Sequence, residues 1–575
     1  MVATLELTHE RIDDVPLLVG FLIKLHFPEI LDAHLPPHPL HQGLSNGWLI
    51  TVWIAYILSQ ADHRKSHVQE WVDRLEHTLE ILIGQAIRPV EFGDDRLTLV
   101  LKRLSVPEVW QELEAALWRI QCEVYALPPI ERVHLDATTS FGYHAIDDDG
   151  LMQLGHSKDH RPDLPQIKLM AAAAEPSGLF LAGDVHPGNA ADDPLYLPLY
   201  RRVRELLGQD GLLYTGDCKM AAVETRAEIA AGDFYLTRLP LTGEVADQFT
   251  AWVEAALTGA AAPLVEIRVE DELIAQGYEF ERSQSAVVNE VVHTWTERVQ
   301  IIRSEALAQS QAAALKRRLE KAEAALLGLT PPPGPRRTPF TTGWELERAI
   351  AAVGAEHQVE GLLEVSFERE ETSRTRYVGR GRGGPHRPKT THWDIRYQIT
   401  AVRRNEAAIR HRVARMGWQV QVTNVPAQRL SLADSLRTYR EGWCGERLFH
   451  LLKDEPLGIR PLYVWRDDQI QGLTHLVTLA LRVLMLFEAL VRRGQQAAGE
   501  KLKGLYPGQA KRDTDRPTAK RVLAAISRAE MTLTQMVSGG EVRWHLKALP
   551  VLVKQVLGYL GLSEAVYTRL VINSS

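Results

Sequence analysis

The sequence is short of cysteine, of net positive charge and of long apolar runs. Three cysteines (Cys122, Cys218 and Cys444) in 575 residues, none in a CxxC pair, argue against a zinc finger or a disulfide scaffold and suit a reducing compartment. A net charge of −7 argues against a surface that coats nucleic acid uniformly. No apolar run reaches the roughly 18 residues needed to cross a bilayer, and Met1–Pro16 lacks the basic start and apolar core of a signal peptide. These absences lead us to expect a cytoplasmic protein with no membrane partner.

What is present is ordinary globular composition, 45% apolar and 24% charged, over a length that calls for three or four domains. Positive charge is local. Arg403, Arg404, Arg410, Arg412 and Arg415 crowd one stretch, and Lys501, Lys503, Lys511, Arg512, Arg516, Lys520 and Arg521 another. Such stripes track phosphates or form solvated helix faces.

Periodicity divides the chain. Residues 1–128 read as a helical domain, with Leu17, Leu18, Phe21 and Leu22 at helical spacing. From Ile130 the order is strand (Arg132–Thr138), strand (Ile167–Ala174), strand (Leu179–Val185), helix (Pro194–Leu207), strand (Gly211–Thr215), helix (Ala221–Ala230), strand (Phe234–Leu239). That succession is expected of an α/β fold with a ribonuclease H-like core, over 129–240. Residues 241–428 read as a mixed β-rich insertion. It holds a charged helix Glu305–Leu326, the breaker Pro331–Pro335, and the flexible basic stretch Gly379–Gly384. Residues 429–485 close the core with a helix, and 486–575 read as a helical C-terminal region.

Two carboxylates occupy telling places. Asp136 lies on the polar face of the first core strand, and Asp217 just past the end of the fourth. In such a core these strands are neighbours, so the two acids can share a hard cation such as Mg²⁺. An aspartate just before a helix can equally be an N-cap. A third acid is available from a helix read over Tyr439–Lys453, where Tyr439, Glu446 and Lys453 recur every seven residues along one face. A hydroxyl, an acid and an ammonium on one stripe suit a phosphate-handling site. An ordinary amphipathic helix has the same pattern.

The stretch Tyr439–Lys453 resembles the Tyr-x2-Arg-x3-Glu-x6-Lys (YREK) signature of the IS-four superfamily of bacterial insertion-sequence transposases. Gly155–Leu164, Pro187-Gly188-Asn189 and Pro456–Leu462 with Arg466–Ile470 are similar to that group as well, most of all to the branch named for insertion sequence sixteen-thirty-four. The family's arginine position falls on Gly442, with Arg440 and Arg447 off the stripe and His450 one turn past Glu446. The resemblance implies a DDE-type DNA transposase with Asp136, Asp217 and Glu446 as catalytic, metal-binding acids. It implies two Mg²⁺ ions per site, with Mn²⁺ able to substitute. Tyr439, Lys453, His450, Lys158 and Arg161 would contact DNA. The implied partners are double-stranded DNA, as transposon-end inverted repeats and target, and a second copy of the chain in a DNA-bound homodimer. A tryptophan stacked on a flipped base is also implied, with Trp295, Trp344 and Trp393 as candidates. Two rivals are a DNA-binding protein that has lost catalysis and a structure-selective nuclease on the same core.

Overall fold

The computed structural model describes residues 6–38, 42–332, 339–381, 383–509, 511–538 and 541–571. Polar–apolar alternation sets the first core strand, β1 (Arg132–Phe141), with Val133, Leu135 and Ala137 buried on one face and His134 and Asp136 on the other. β2 (Gln166–Glu175) is buried along its whole length, as expected of a strand covered on both sides. Its four successive alanines, Ala171–Ala174, leave room for close-packed neighbours on each face. β3 (Leu179–Pro187) completes an antiparallel meander after the turn at Glu175–Gly178.

Helix α1 (Tyr196–Leu207) then crosses to β4 (Leu213–Gly216), and α2 (Val223–Ala230) to β5 (Phe234–Arg238). β4 pairs parallel with β1 on one side and with β5 on the other. A helix must intervene because a parallel partner is reached only by a crossover.

The sheet does not end there. β6 (Val265–Val269), β7 (Glu272–Val288), β8 (Val291–Ser304) and β9 (Trp418–Thr423) extend it to nine strands in the order β3-β2-β1-β4-β5-β9-β8-β7-β6. β9 pairs antiparallel with β5 and with β8, so half of the β-rich stretch after Pro240 continues the core sheet. β7 escapes a reading by pattern because polar residues such as Glu281, Arg282, Ser283 and Gln284 run through its exposed half.

The other half of that stretch has its own small core. Helices Glu305–Leu329 and Gly343–Glu356 pack Leu315, Leu319, Leu326 and Val353 together, and a long two-stranded hairpin, Leu363–Tyr377 with Lys389–Arg404, stands on them. Of the breaker, Pro333–Pro335 lies outside the described residues, as does Arg382 in the basic stretch.

The terminal regions differ from expectation. Glu6–Arg11 is a strand rather than part of the helical domain. It pairs with Thr532–Ser538, which pairs in turn with Glu541–Leu546. The C-terminal region is therefore only partly helical. Thr532–Ser538 contains Thr532, Thr534 and Val537, which favour strands, and a partner more than 500 residues away carries no local signal. The helices of both terminal regions share the main hydrophobic core with the sheet. At its centre runs helix Asp467–Ala498, apolar and long enough to cross a membrane by composition, with 94% of that apolar window buried inside the protein.

Candidate active site

The register of β1 on β4 decides which side chains meet. Leu135 pairs with Gly216, so Asp136 and Asp217 are the next residues along two adjacent parallel strands. Strands stand about 4.8 Å apart, which sets the two carboxylates side by side, Asp136 midway along β1 and Asp217 just past the end of β4. Burial raises the Asp136 pKa, Lys158 and His134 oppose that shift, and Asp217 adds to it.

Asp217 is held by two donors. Tyr196 Oη, from the first turn of α1, and the Lys219 backbone N–H both donate to its Oδ1 at 2.8 Å. The second contact closes an Asx turn. The capping alternative fails, because α2 begins only at Val223 with Ala222 before it. Tyr196 is fully buried, and burial together with Asp217 and Asp136 lifts its phenol far above the usual range. It is therefore a fixed donor. Sequence reading missed it, because a tyrosine inside an amphipathic helix has the pattern of a core residue.

Asp136 Oδ1 accepts the Ala137 N–H at 2.7 Å and stands 3.5 Å from the Lys158 ammonium. Lys158 was expected to reach outward to DNA. It instead turns inward, donating to Ala137 O at 2.6 Å and standing 4.0 Å from Asp192. Asp192 is a further acid at this site that the sequence did not single out. It also meets Lys168, a buried lysine of β2.

The helix read over Tyr439–Lys453 is two helices, α3 (Leu432–Arg440) and α4 (Trp443–Lys453), separated at Glu441-Gly442. The seven-residue stripe is thereby broken: Tyr439 ends one helix, while Glu446 and Lys453 ride the other. Glycine is the weakest ordinary helix former, and the break falls on it. Arg132 of β1 ties the joint down, donating to Thr438 Oγ1 at 3.2 Å and to Glu441 Oε2 at 3.0 Å.

Tyr439 nonetheless lies near the acids. Burial pushes its phenol up to about 12, with Asp217, Cys218 and Asp136 contributing and Arg238 opposing. The Arg238 guanidinium, at the end of β5, lies over the Tyr439 ring at 4.6 Å. Arg440 and Arg447 are committed elsewhere, to Ser304 and to Glu488.

α4 lies on the polar face of β1. A Cβ built on Gly445 would come within 2.4 Å of His134 Cδ2, so only glycine allows this approach. His134 cannot readily retreat, since its Nδ1 is paired with Thr215 Oγ1 at 3.0 Å. Glu446 follows directly and is exposed. Among the described residues no group of three or more His, Cys, Asp or Glu side chains stands close enough to hold a metal ion. Two of the three expected acids are thus brought together, and Glu446 is not joined to them.

The other expected DNA contacts have protein partners. Lys453 pairs with Asp159 at 2.6 Å, and Arg460 shares that carboxylate at 2.7 Å. His450 pairs with Asp454 at 2.7 Å. Arg161 pairs with Asp163 at 2.8 Å and covers the Phe141 ring. In the basic stretches, Arg404 bonds Glu323 and Arg415 bonds Glu254. Trp295 is packed and donates to Tyr235 Oη at 2.8 Å, whereas Trp344 and Trp393 are 65% and 64% exposed.

No protein-family model matches the chain, and no curated protein matches it in sequence. In outline the chain is similar to a solved structure described as the cryo-EM structure of piggyBac transposase synaptic complex with hairpin DNA. The identity is 8% and the TM-score 0.36, over 91% of this chain and 82% of that one. At that distance the likeness assigns no residue a role.

Proposed function

We propose that the chain is a DNA transposase of the DDE type, cutting and rejoining DNA at a site built on Asp136 and Asp217, with Glu446 as the third acid. The observation that carries this reading is the pair of aspartates set side by side by the β1–β4 register, with Asp217 adding to the raised pKa of Asp136. The strand order β3-β2-β1-β4-β5, antiparallel then parallel, is the one expected of a ribonuclease H-like core.

Two of the donors that a divalent cation needs are side by side here. The protein contacts described above fall on Oδ1 of each aspartate, leaving an oxygen on each for a hard ion. Asp136 and Asp217 would hold it, with Glu446 the remaining ligand. Bound Mg²⁺ or Mn²⁺ would lower the pKa of a water and neutralise charge on the reacting phosphate.

The chain's own residues do the rest. Tyr196 and the Lys219 amide fix the orientation of Asp217, and Lys158 balances the buried charge of Asp136. Arg238 and Tyr439, beside the acids, would receive the phosphate that the position at Gly442 cannot. Water attacks the phosphodiester and releases a 3′ hydroxyl. That hydroxyl then attacks a second phosphodiester, exchanging one P–O bond for another. A homodimer would bring two ends together.

The test is cleavage of end-containing DNA with Mg²⁺ or Mn²⁺. Wild type is expected to nick, and Asp217→Ala to bind DNA without nicking; persistent cleavage by that variant overturns the assignment. A second reading, a DNA-binding protein without catalysis, is favoured by exposed Glu446 and the break at Gly442. Binding without any nicking by the wild type would establish it.

A further inference from the structure

The hairpin Leu363–Tyr377 with Lys389–Arg404 is a long element whose outer half is exposed. Its base is anchored: Ile399 is buried and Arg404 bonds Glu323 of the underlying helix. Beyond that, residues 368–377 and 389–394 are exposed on both faces. An isolated two-stranded ribbon is marginal in water, so one held out this far is expected to gain from a partner.

Charge shows what that partner is. Acids sit near the base, at Glu364, Glu368, Glu370 and Glu371, and one more, Asp394, stands opposite Thr372 and pairs with Arg374 at 2.9 Å. Residues 372–393 contain Arg374, Arg376, Arg380, Arg382, Arg387 and Lys389 and neither Asp nor Glu, in a chain of net charge −7. Register then sorts the two faces, since directly opposed residues share one. Arg374 opposes His392 and Arg376 opposes Thr390 on one face. Ser373 opposes Trp393, Thr375 opposes Thr391 and Tyr377 opposes Lys389 on the other. One face carries Arg374, Arg376 and His392 with the single acid Asp394, while the other carries hydroxyls, Lys389 and two exposed aromatics. The turn between them is preorganised: Arg387 donates to the carbonyls of Val378, Arg380 and Gly381 and buckles the loop into shape.

We propose that this ribbon is a DNA-binding arm that enters the major groove of duplex DNA. The paired outer segment, Thr372–Tyr377 against Lys389–Asp394, spans roughly 20 Å at about 3.4 Å per residue. A groove about 12 Å wide admits a two-stranded ribbon. Arginines on one face and at the tip reach phosphates, while Ser373, Thr375, Thr391 and Trp393 present hydroxyls and a ring to base edges. This extends the DNA reading of the acid cleft but stands on a different part of the chain.

The test uses the full chain carrying Arg374→Ser, Arg376→Ser, Arg380→Ser and Lys389→Ser together, leaving Arg387 to hold the turn. Binding to a labelled duplex is read by anisotropy between 50 and 200 mM salt. Each lost phosphate contact should flatten the log–log salt dependence by about 0.9. A slope shallower by about 3, with at least tenfold weaker binding at the middle of the range, is expected. The melting temperature should stay unchanged, because these side chains are exposed. Guanine N7 positions protected from dimethyl sulfate by the wild type should become reactive, as they should with Trp393→Ser.

Unchanged affinity and slope overturn the proposal. Equal affinity for single strands overturns it, and so does protection confined to adenine N3 in the minor groove. Variant-sensitive binding to phosphatidylserine vesicles without variant-sensitive duplex binding assigns the arm to a membrane and overturns it too. Cleavage by wild type and by Asp217→Ala, run on the same duplex, reads the acid cleft separately. If that reading fails while the ribbon variant still loses affinity, the arm stands alone.

Discussion

Replacing Gly445 tests whether the helix bearing Glu446 is set on β1 by contact. An alanine Cβ would lie 2.4 Å from His134 Cδ2 and 2.7 Å from its Nε2. Ordinary contacts are about 3.5–4.0 Å, so either α4 lifts by about 1 Å or the imidazole swings away from Thr215. Overpacking of this kind costs about 1–3 kcal/mol, against about 1 kcal/mol gained by replacing a helical glycine with alanine. Gly445→Ala should therefore lose about 1 kcal/mol. Gly328→Ala, in helix Glu305–Leu329 with nothing within 4 Å of the new Cβ, should gain stability. Opposite signs for one chemical change isolate the contact. On the proposed function, a shift of about 1 Å in Glu446 should slow Mn²⁺-supported cleavage about 100-fold while DNA binding holds. Urea unfolding and single-turnover cleavage read the two effects, and adding His134→Ala should recover the stability. If Gly445→Ala is as stable and as active as the wild type, the contact does not position the helix.

Three further outcomes follow from individual groups. Tyr196→Phe removes the 2.8 Å bond to Asp217 and should cost about 2 kcal/mol and slow cleavage, since a carboxylate loses its buried donor; an unchanged urea midpoint would refute it. Asp14, which accepts from Ser59 at 2.7 Å, is pushed up by burial from its usual 3.8 to about 7. The folded chain keeps a proton there that the unfolded chain releases, so this group costs stability as pH rises from about 4 to 7, about 4 kcal/mol in full. Asp14→Asn should remove that part of the slope in urea titrations at pH 5 and 8, and identical slopes would contradict it. Asp159→Ala strands the largely buried Lys453, bonded at 2.6 Å, and leaves Arg460 with Asp454 alone, and should cost about 3–5 kcal/mol. A loss below about 1 kcal/mol would show that the latch contributes little.

By itself the sequence determined the local elements of the core. Alternation around Asp136, the alanine run of β2 and the helical spacing of α1 are patterns of neighbouring residues, and the structure keeps each in its expected order. It also pointed to Asp136 and Asp217, because an acid on the polar face of a strand and another at a strand's end are visible in a few residues of context. Only tertiary structure decided whether they meet, because the β1–β4 register belongs to two segments far apart in the chain. The same holds for the pairing of Glu6–Arg11 with Thr532–Ser538, and for the continuation of the core sheet through β9 to β6. Side-chain destinations were equally hidden. Lys158 and Lys453 have the composition of free phosphate contacts, yet each is turned to an aspartate that folding brings within reach, while Arg161 pairs with Asp163 two residues on. The break at Gly442 shows the limit of periodicity. A seven-residue repeat places residues on one face only while the helix is continuous, and continuity here is decided by glycine's weak helical preference and by the grip of Arg132 on Thr438 and Glu441.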